Sequence, residues 1–387
     1  MAYQLRLWAA TLACLLASAC ATAPPAPPPL PLADLFSNAR FAAPSQPVDA
    51  GALFELSAPM AAYLNSKKFR SAVRKKGAEM GLVDALYDKQ GLQLDYDASS
   101  TRDAAETFAA RRGNCLSLVL MTAAFAKALK LDVTFQEVRL DPEWSRTGQL
   151  YIGSSHVNLN IVSSLLSTSS QPPNALTIDF IAPPQAGRQR TTVISESMIV
   201  AMFMNNRAAE ELAVGRLDNA YWWARSAVMH EPRFVPAYNT LGVVYQKRGY
   251  DELAERVYKR ALVQAPENTM IMTNLAPVLA SLGKTEESKA LAARAASLEP
   301  EPPFFFFEKG MKAMEDNKFA DARHWFGREV QRAPYNHEFH YWLAIAHLRL
   351  GEANAARKEM TLALDHSTSL DASARYSSKL AALRALK

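Results

Sequence analysis

The second half of the chain repeats itself at intervals of 34 residues. One unit carries aromatic, small and turn-forming residues at fixed positions: Tyr238, Leu241, Gly242, Tyr245, Gly249, Ala254, Tyr258, Ala261 and Pro266. The same frame fits once before this unit and three times after it, and so covers residues 201–370 without a slip. Small residues are needed where two helices touch, and glycine or proline where the chain turns. Such a chain cannot bury the apolar face of one unit alone, so it must stack helix pairs into an elongated array.

The pattern resembles the tetratricopeptide repeat, in which helix pairs stack into a solenoid. We expect five tetratricopeptide repeats over residues 201–370 and a capping helix over residues 371–387. The resemblance implies a concave groove, lined by the first helix of each repeat, that binds a peptide or protein ligand. The apolar residues expected to line this groove are Phe304, Phe307, Met311, Met314, Tyr341, Ile345 and Leu348. The alternative is that these side chains pack between repeats or against the first half of the chain.

Histidines are concentrated in the last two repeats, at positions 324, 337, 340 and 347. Imidazole is a common zinc ligand, but His340 and His347 occupy repeat positions that normally hold aromatic residues. We therefore predict no metal site and no cofactor.

A cysteine marks the first half of the chain, in the stretch Arg111-Arg112-Gly113-Asn114-Cys115-Leu116-Ser117-Leu118. Asn114 is a preferred N-cap residue, and the apolar residues after it recur at helical spacing, which places Cys115 in the first turn of a buried helix. The partial positive charge of a helix N-terminus lowers the pKa of a thiol, and its unpaired N–H groups can hold an oxyanion. Cys115 is thus a candidate nucleophile, and the alternative is a small buried apolar side chain.

Two short alternating segments supply a base and a residue to orient it. In one strand-like segment, Val157, Leu159 and Ile161 share a face and His156 is on the other face. In a second such segment, Ile178 and Phe180 share a face and Asp179 is on the other. Cysteine, histidine and aspartate in this order form the triad of papain-like enzymes. Before these segments we expect a strand over residues 133–140, a polar loop over residues 141–148 and a strand near residues 150–152.

These residues resemble bacterial transglutaminase-like domains, on the Gly-Asn-Cys-Leu-Ser core, the histidine strand and the Ile-Asp-Phe strand. The resemblance covers about residues 55–190 and implies that Cys115 is the nucleophile, His156 the general base and acid, and Asp179 the group that fixes the imidazole tautomer. Val-Asn follows His156, where the family commonly has alanine and an aromatic residue, so the substrate is left open. We expect a multidomain chain: an α+β transglutaminase-like (papain-like) domain over residues 52–198, then the all-α solenoid.

The start of the chain has the pattern of an export signal. Arg6 precedes an apolar run that is too short to span a bilayer, and Ala17-Ser18-Ala19 is a small-residue cleavage site. Residues 1–19 would be the signal peptide. Ordinary signal peptidase could cut after Ala19, which is the same cleavage point that a lipoprotein signal would have. Cys20 follows at once, and this resembles a bacterial lipoprotein signal, which implies a lipidated Cys20 and, with Ala21 after it, an outer-membrane anchor facing the periplasm.

A tether and a lone thiol follow from this interpretation of the N-terminus. Six prolines between Pro24 and Pro31 favour a stiff, extended segment, so we expect residues 20–51 to be a lipidated, proline-rich tether. Cys14 would leave with the signal and Cys20 would be acylated, which leaves Cys115 as an unpaired thiol in a compartment that favours disulfides. A catalytic role would explain an unpaired thiol there.

Composition narrows the function classes without naming a substrate. A formal net charge of +5 over 387 residues is small, so the sequence indicates no nucleic-acid partner. The leading hypothesis is amide hydrolysis or acyl transfer on a peptide or protein. The competing hypothesis is a non-catalytic scaffold lipoprotein that assembles envelope proteins through its repeats. Protease, amidase and crosslinking activities stay open, as do the repeat-bound partner and the oligomeric state.

The lipoprotein hypothesis makes a direct prediction about Cys20. Cys20→Ser should abolish acylation and release the protein in soluble form, because no membrane-spanning length follows the cleavage site. Mass spectrometry of the mature N-terminus is the measurement. An unmodified Cys20 on the wild-type protein would instead indicate simple secretion.

Overall fold

The structure is a computed structural model that describes residues 31–88, 91–147, 150–162, 175–180 and 190–385. The predicted signal peptide and Cys20 lie outside the described residues. Within the described ranges, no helix combines the length and the apolar character that crossing a membrane requires.

The first half of the described chain is helical up to the cysteine. After 3-10 turns at Leu32–Leu35, Asn38–Arg40 and Gly51–Phe54 come α1 (Ala58–Asn65), α2 (Lys67–Lys76), α3 (Ala78–Tyr87), β1 (Asp95–Tyr96), α4 (Ala104–Ala110), β2 (Arg112–Gly113) and α5 (Cys115–Ala128). Side-chain caps set several of these starts. Asp103 and Glu106 form a reciprocal capping box on α4, and Asn114 caps α5.

An antiparallel sheet follows α5 in the order β5-β4-β3-β6. Its strands are β3 (Asp132–Thr147), β4 (Leu150–Val162), β5 (Leu176–Ile178) and β6 (Arg190–Ile194). The predicted loop over residues 141–148 is wrong for residues 141–147, which continue β3 after a register shift between Val138 and Glu143. The polar residues 143–147 can stay in a strand because the backbone ladder with β4 does not depend on which side chains they carry. α5 packs on β4, with Val119, Leu120 and Ala123 fully buried.

Five helix pairs and a final helix make up the second half. They are α6 (Glu196–Ala213) with α7 (Leu217–His230), α8 (Val235–Lys247) with α9 (Asp251–Gln264), α10 (Thr269–Ser281) with α11 (Thr285–Leu298), α12 (Phe305–Glu315) with α13 (Phe319–Arg332), α14 (His337–Arg349) with α15 (Ala353–Asp365), and α16 (Leu370–Ala385). The first helix begins at Glu196, ahead of the predicted residue 201, because the side chain of Ser195 caps it.

The turn inside each helix pair needs one residue in the left-handed region. Gly215, Gly249, Gly283, Asn317 and Gly351 take this position, with φ between 57° and 77°. Asparagine tolerates the left-handed region better than most residues that carry a side chain, so the fourth repeat keeps the turn without glycine. The 34-residue period is therefore present at every turn.

Of the seven predicted groove residues, Phe304 and Phe307 are buried and cannot line an open groove, whereas Met311, Met314, Tyr341, Ile345 and Leu348 are half-buried. Phe304 and Phe307 are buried in a core with Phe326 and Phe339, and Met311 and Met314 pack against it. Tyr341, Ile345 and Leu348 pack against a second core that includes Tyr376 of the final helix. All seven residues contact a core between repeats, as the alternative prediction expected. Each repeat buries its apolar surface against its neighbour.

Residues 35–45 of the predicted 20–51 tether pack on the first two repeats. Phe41 stacks on Tyr221 with ring centroids 3.9 Å apart and an interplanar angle of 3°. The Tyr221 hydroxyl donates a hydrogen bond to Asn38 Oδ1 at 2.7 Å. The spacer prediction therefore does not hold for residues 35–45.

Two glycine substitutions test the close packing within repeats. A Cβ on Gly242 would lie 2.4 Å from the buried ring of Tyr258, whereas a Cβ on Gly327 would meet nothing within 4 Å. Gly242→Ala should destabilise the protein by about 1–3 kcal/mol through overpacking. Gly327→Ala, also inside a helix, should stabilise it by about 0.5–1 kcal/mol. Thermal unfolding of both variants is the measurement, and equal melting temperatures would contradict the assigned helix contact.

Candidate active site

Cys115 is the first residue of α5, where helix geometry leaves backbone N–H groups unpaired. The Asn114 side chain accepts a hydrogen bond from the Ser117 N–H at 2.9 Å, and the Asn114 carbonyl accepts the first helical bond from Leu118. The N–H groups of Cys115 and Leu116 precede that bond, so the helix itself gives them no acceptor. The thiol is half-buried and, within the described chain, is a free cysteine.

His156 and Asp179 meet because β4 and β5 pair in register. Leu159 lies opposite Ile178 in the ladder, which brings the residue after β5 alongside the start of the histidine segment. His156 Nε2 and Asp179 Oδ1 are 2.7 Å apart. The imidazole is 7% exposed, so this hydrogen bond is largely shielded from water. The two residues predicted to act together are therefore in direct contact.

Asn158 belongs to the same cluster and was not predicted. Its Nδ2 donates a hydrogen bond to Asp179 Oδ2 at 3.1 Å, so the two carboxylate oxygens bind two different residues of β4. His156 and Asn158 are two positions apart, and alternation along a strand puts such residues on one face. The two-residue spacing from His156 was the sequence signal that could have identified Asn158 as part of the site.

A further contact holds the backbone of Asp179. The Tyr87 hydroxyl of α3 donates a hydrogen bond to the Asp179 carbonyl at 2.7 Å, and the Tyr87 ring stacks on Phe180 with centroids 5.8 Å apart. The segment after β5 is thus fastened on its main chain as well as through its carboxylate. Both contacts restrict where the carboxylate can point.

The charge state of His156 is set by competing effects. Burial lowers the pKa of the imidazole, but the Asp179 carboxylate and the Cys115 sulfur raise it more, and together they raise the pKa of His156 to about 9. Asp179 binds Nε2, so Nδ1 is the nitrogen left to exchange a proton with the Cys115 thiol. Nδ1 is buried and makes no hydrogen bond to any residue that the structure describes. The cysteine, histidine and aspartate predicted from sequence are therefore brought together.

Three of the four clustered solenoid histidines bind protein groups, and His324 contacts the ring of Trp325. His340 binds Glu359 at 2.7 Å and the Pro334 carbonyl at 2.8 Å. His347 binds Glu352 at 2.5 Å, and His337 binds the Tyr376 hydroxyl at 2.8 Å. In the part of the chain that the structure describes, no three histidine, cysteine or acidic side chains are grouped to hold a metal ion.

Comparisons with known proteins bear on the second half of the chain. The model of the tetratricopeptide repeat family matches residues 235–268. No curated protein matches the chain. Together with the helix pairs, the family match shows that the second half contains tetratricopeptide repeats, and such repeats suggest a protein–protein interaction module.

Similar solved structures cover just under half of this chain. One is YrrB, described as a tetratricopeptide-repeat protein with an unusual peptide-binding site, at 19% identity over 46% of this chain and 92% of YrrB, with a TM-score of 0.26. TTC0263, a tetratricopeptide-repeat protein of Thermus thermophilus, is 19% identical over 47% of this chain and 99% of its own, with a TM-score of 0.31. Pseudomonas aeruginosa pilF is 20% identical over 48% of this chain and 93% of its own, with a TM-score of 0.28. These TM-scores are too low to carry an argument about function.

The His156 site predicts a specific titration. The folded pKa of about 9 lies above the ordinary 6.5, so the stability that the charged imidazole contributes is complete below pH 6.5 and is lost as the pH rises through 9. Asp179→Asn should move the midpoint down, toward or below 6.5. Burial lowers the pKa of His156, and the substitution removes the carboxylate charge that raises it. Histidine-detected NMR titration measures the midpoint, with the His156→Gln spectrum used for assignment.

His337 is the internal control for this titration. Burial lowers its pKa to about 4, and Asp179→Asn should leave that value unchanged. A wild-type His156 midpoint below 6.5 would contradict the ion pair with Asp179.

Proposed function

We propose that the chain is a cysteine-dependent, transglutaminase-like enzyme that cleaves an amide and passes the acyl group to water or an amine. The observation that supports this most is the convergence of three separate elements on one cluster: the start of α5, β4 and the residue after β5. The Cys115 sulfur in this cluster is half-buried and free. The contact of His156 with Asp179 and the influence of Cys115 on the imidazole are what a nucleophile with an oriented base requires.

The reaction follows from the proton positions. With a pKa of about 9, His156 holds a proton at neutral pH, and this imidazolium would be the counter-ion of the attacking Cys115 sulfur. The thiolate attacks the amide carbonyl carbon, and the carbon–nitrogen bond breaks as His156 gives its proton to the leaving amine. The thioester that forms on Cys115 is then attacked by water or a second amine, whose proton returns to the neutral imidazole.

The N-terminus of α5 supplies the electrostatic part of the mechanism. Negative charge develops on the carbonyl oxygen in both steps, next to the first-turn N–H groups of Cys115 and Leu116. Asn114 already takes up the Ser117 N–H, so the side-chain cap leaves the first two amides for the substrate. The Asp179 carboxylate holds the imidazole orientation throughout.

The setting we propose is an exported lipoprotein, anchored through acylated Cys20 at the outer membrane and facing the periplasm. The repeats would recruit a peptide or protein, which fits an acyl-transfer enzyme whose amide is part of a polypeptide. The alternative is a non-catalytic envelope scaffold. The observation that favours it is the buried His156 Nδ1, which has no well-formed hydrogen bond even though the Cys115 sulfur is close enough to raise the pKa of the imidazole.

Thiol reactivity separates these two functions. At pH 6 a thiol with an ordinary pKa is less than about 1% thiolate, so only an activated Cys115 should react quickly with iodoacetamide. We expect His156→Gln to slow this alkylation roughly tenfold or more, because the thiolate loses its counter-ion. Peptide mass spectrometry of the Cys115 fragment measures the rate at that site alone.

His347→Gln is the matched control, because His347 also pairs with a carboxylate but lies in the last helix pair. It should leave the Cys115 rate unchanged. A slow wild-type rate that His156→Gln does not alter would exclude the enzyme and favour the scaffold. If the rate is fast, an acyl group recovered on Cys115 from cells would identify the substrate.

A further inference from the structure

Residues 97–102 contact the chain on both sides of Cys115. The Asp97 N–H donates to the Gly113 carbonyl at 3.0 Å. Asn114 Nδ2 donates to Thr101 Oγ1 at 2.8 Å, and the Arg102 N–H donates to Ser117 Oγ at 2.8 Å. This segment, which we call the bridge, therefore supports the N-cap residue and the first turn of α5.

The solenoid holds the bridge through its first helix. The Thr101 N–H donates to Glu210 Oε1 at 2.6 Å, and Arg207 Nη1 donates to the Thr101 carbonyl at 3.3 Å. Both solenoid residues lie on α6, and Arg207 also pairs with Glu210 at 3.4 Å. Thr101 is only 1% exposed, so its backbone groups depend on these partners rather than on water.

The far end of the solenoid reaches the same bridge. The Ala98 N–H donates to the carbonyl of Thr368 at 2.8 Å, in the connection between α15 and α16. Ala98 and Thr101 are three residues apart, so their backbones are separated by at most about 11 Å. The first helix of the first repeat and the last connection of the fifth therefore meet at one short segment.

This arrangement ties the curvature of the solenoid to the Cys115 helix. Curvature in a repeat array is the sum of small rotations between neighbouring repeats, so a small change at each interface adds up over the whole array. Here the two ends are fastened to the bridge, and a change in curvature must move the bridge or break a hydrogen bond. The bridge cannot move without pulling on Asn114 through Thr101.

We propose that Thr101, Arg207 and Glu210 are positioning residues for the Cys115 nucleophile, through which the solenoid sets the geometry at the start of α5. The catalytic meaning of this inference rests on the proposed function, whereas the mechanical link does not. Binding of a polypeptide by the repeats would then alter the reactivity of a cysteine that the repeats do not touch.

Hydrogen exchange and alkylation of the full chain test the link together. Glu210→Ala removes the acceptor of the Thr101 N–H, while Glu210→Gln keeps an oxygen there. We expect the alanine variant to speed exchange in peptides covering residues 97–103 and 111–118 and to slow Cys115 alkylation roughly three- to tenfold, the scale of a weakened N-cap. The glutamine variant should restore both. Thr101→Val, which removes the hydroxyl that binds Asn114, should give the alanine result without altering the solenoid.

Glu255→Ala is the matched control, since Glu255 is a buried solenoid carboxylate that pairs with Lys259 and Lys284 away from the bridge. It should change neither quantity at Cys115. The proposal would be overturned if both Glu210→Ala and Thr101→Val speed exchange at residues 97–103 but leave the exchange rate at residues 111–118 unchanged. Coupled exchange with an unreactive wild-type Cys115 would support the link and refute the enzyme.

Discussion

The side chain of Asn114 makes two hydrogen bonds in opposite directions, and the arrangement of the site depends on both. Its Oδ1 accepts from the Ser117 N–H and so defines where α5 begins, which places Cys115 at the positive end of the helix. Its Nδ2 donates to Thr101 and so fastens that helix to a segment outside it. An asparagine is suited to this because its amide offers an acceptor and a donor at once. An aspartate would cap the helix equally well but could not donate to Thr101.

Asp179 on the histidine side of the site is also held by more than one hydrogen bond. Each oxygen of Asp179 binds a residue of β4, and its carbonyl binds Tyr87, so the carboxylate has little freedom to turn away from His156. A fixed carboxylate beside a buried imidazole outweighs the desolvation that would otherwise discharge the ring. The imidazole proton is thus held in place, as the acid catalysis that we propose requires.

The solenoid packs on itself and is also joined to the first half of the chain. Apolar side chains such as Phe304 and Phe307 pack between neighbouring repeats. The N-terminal segment around Phe41 packs on Tyr221 of α7. The contacts of Glu210 and Thr368 with the bridge bring the two ends of the repeat array to the segment that supports Asn114. The two halves of the chain are therefore joined by hydrogen bonds at the exposed Ala98 and at Thr101, whose buried backbone groups are costly to leave unpaired.

Local pattern in the sequence determined the features that depend on near neighbours. The 34-residue period predicts the helix pairs, Asn114 predicts the start of the Cys115 helix, and strand alternation predicts the faces of His156 and Asp179. The tertiary structure alone decided which elements meet. The register of β4 with β5 brings Asp179 to His156 and adds Asn158. The burial of Phe307 depends on residues of the following repeat. The meeting of Thr368 with Ala98 depends on the summed rotations of the solenoid, which no single segment encodes.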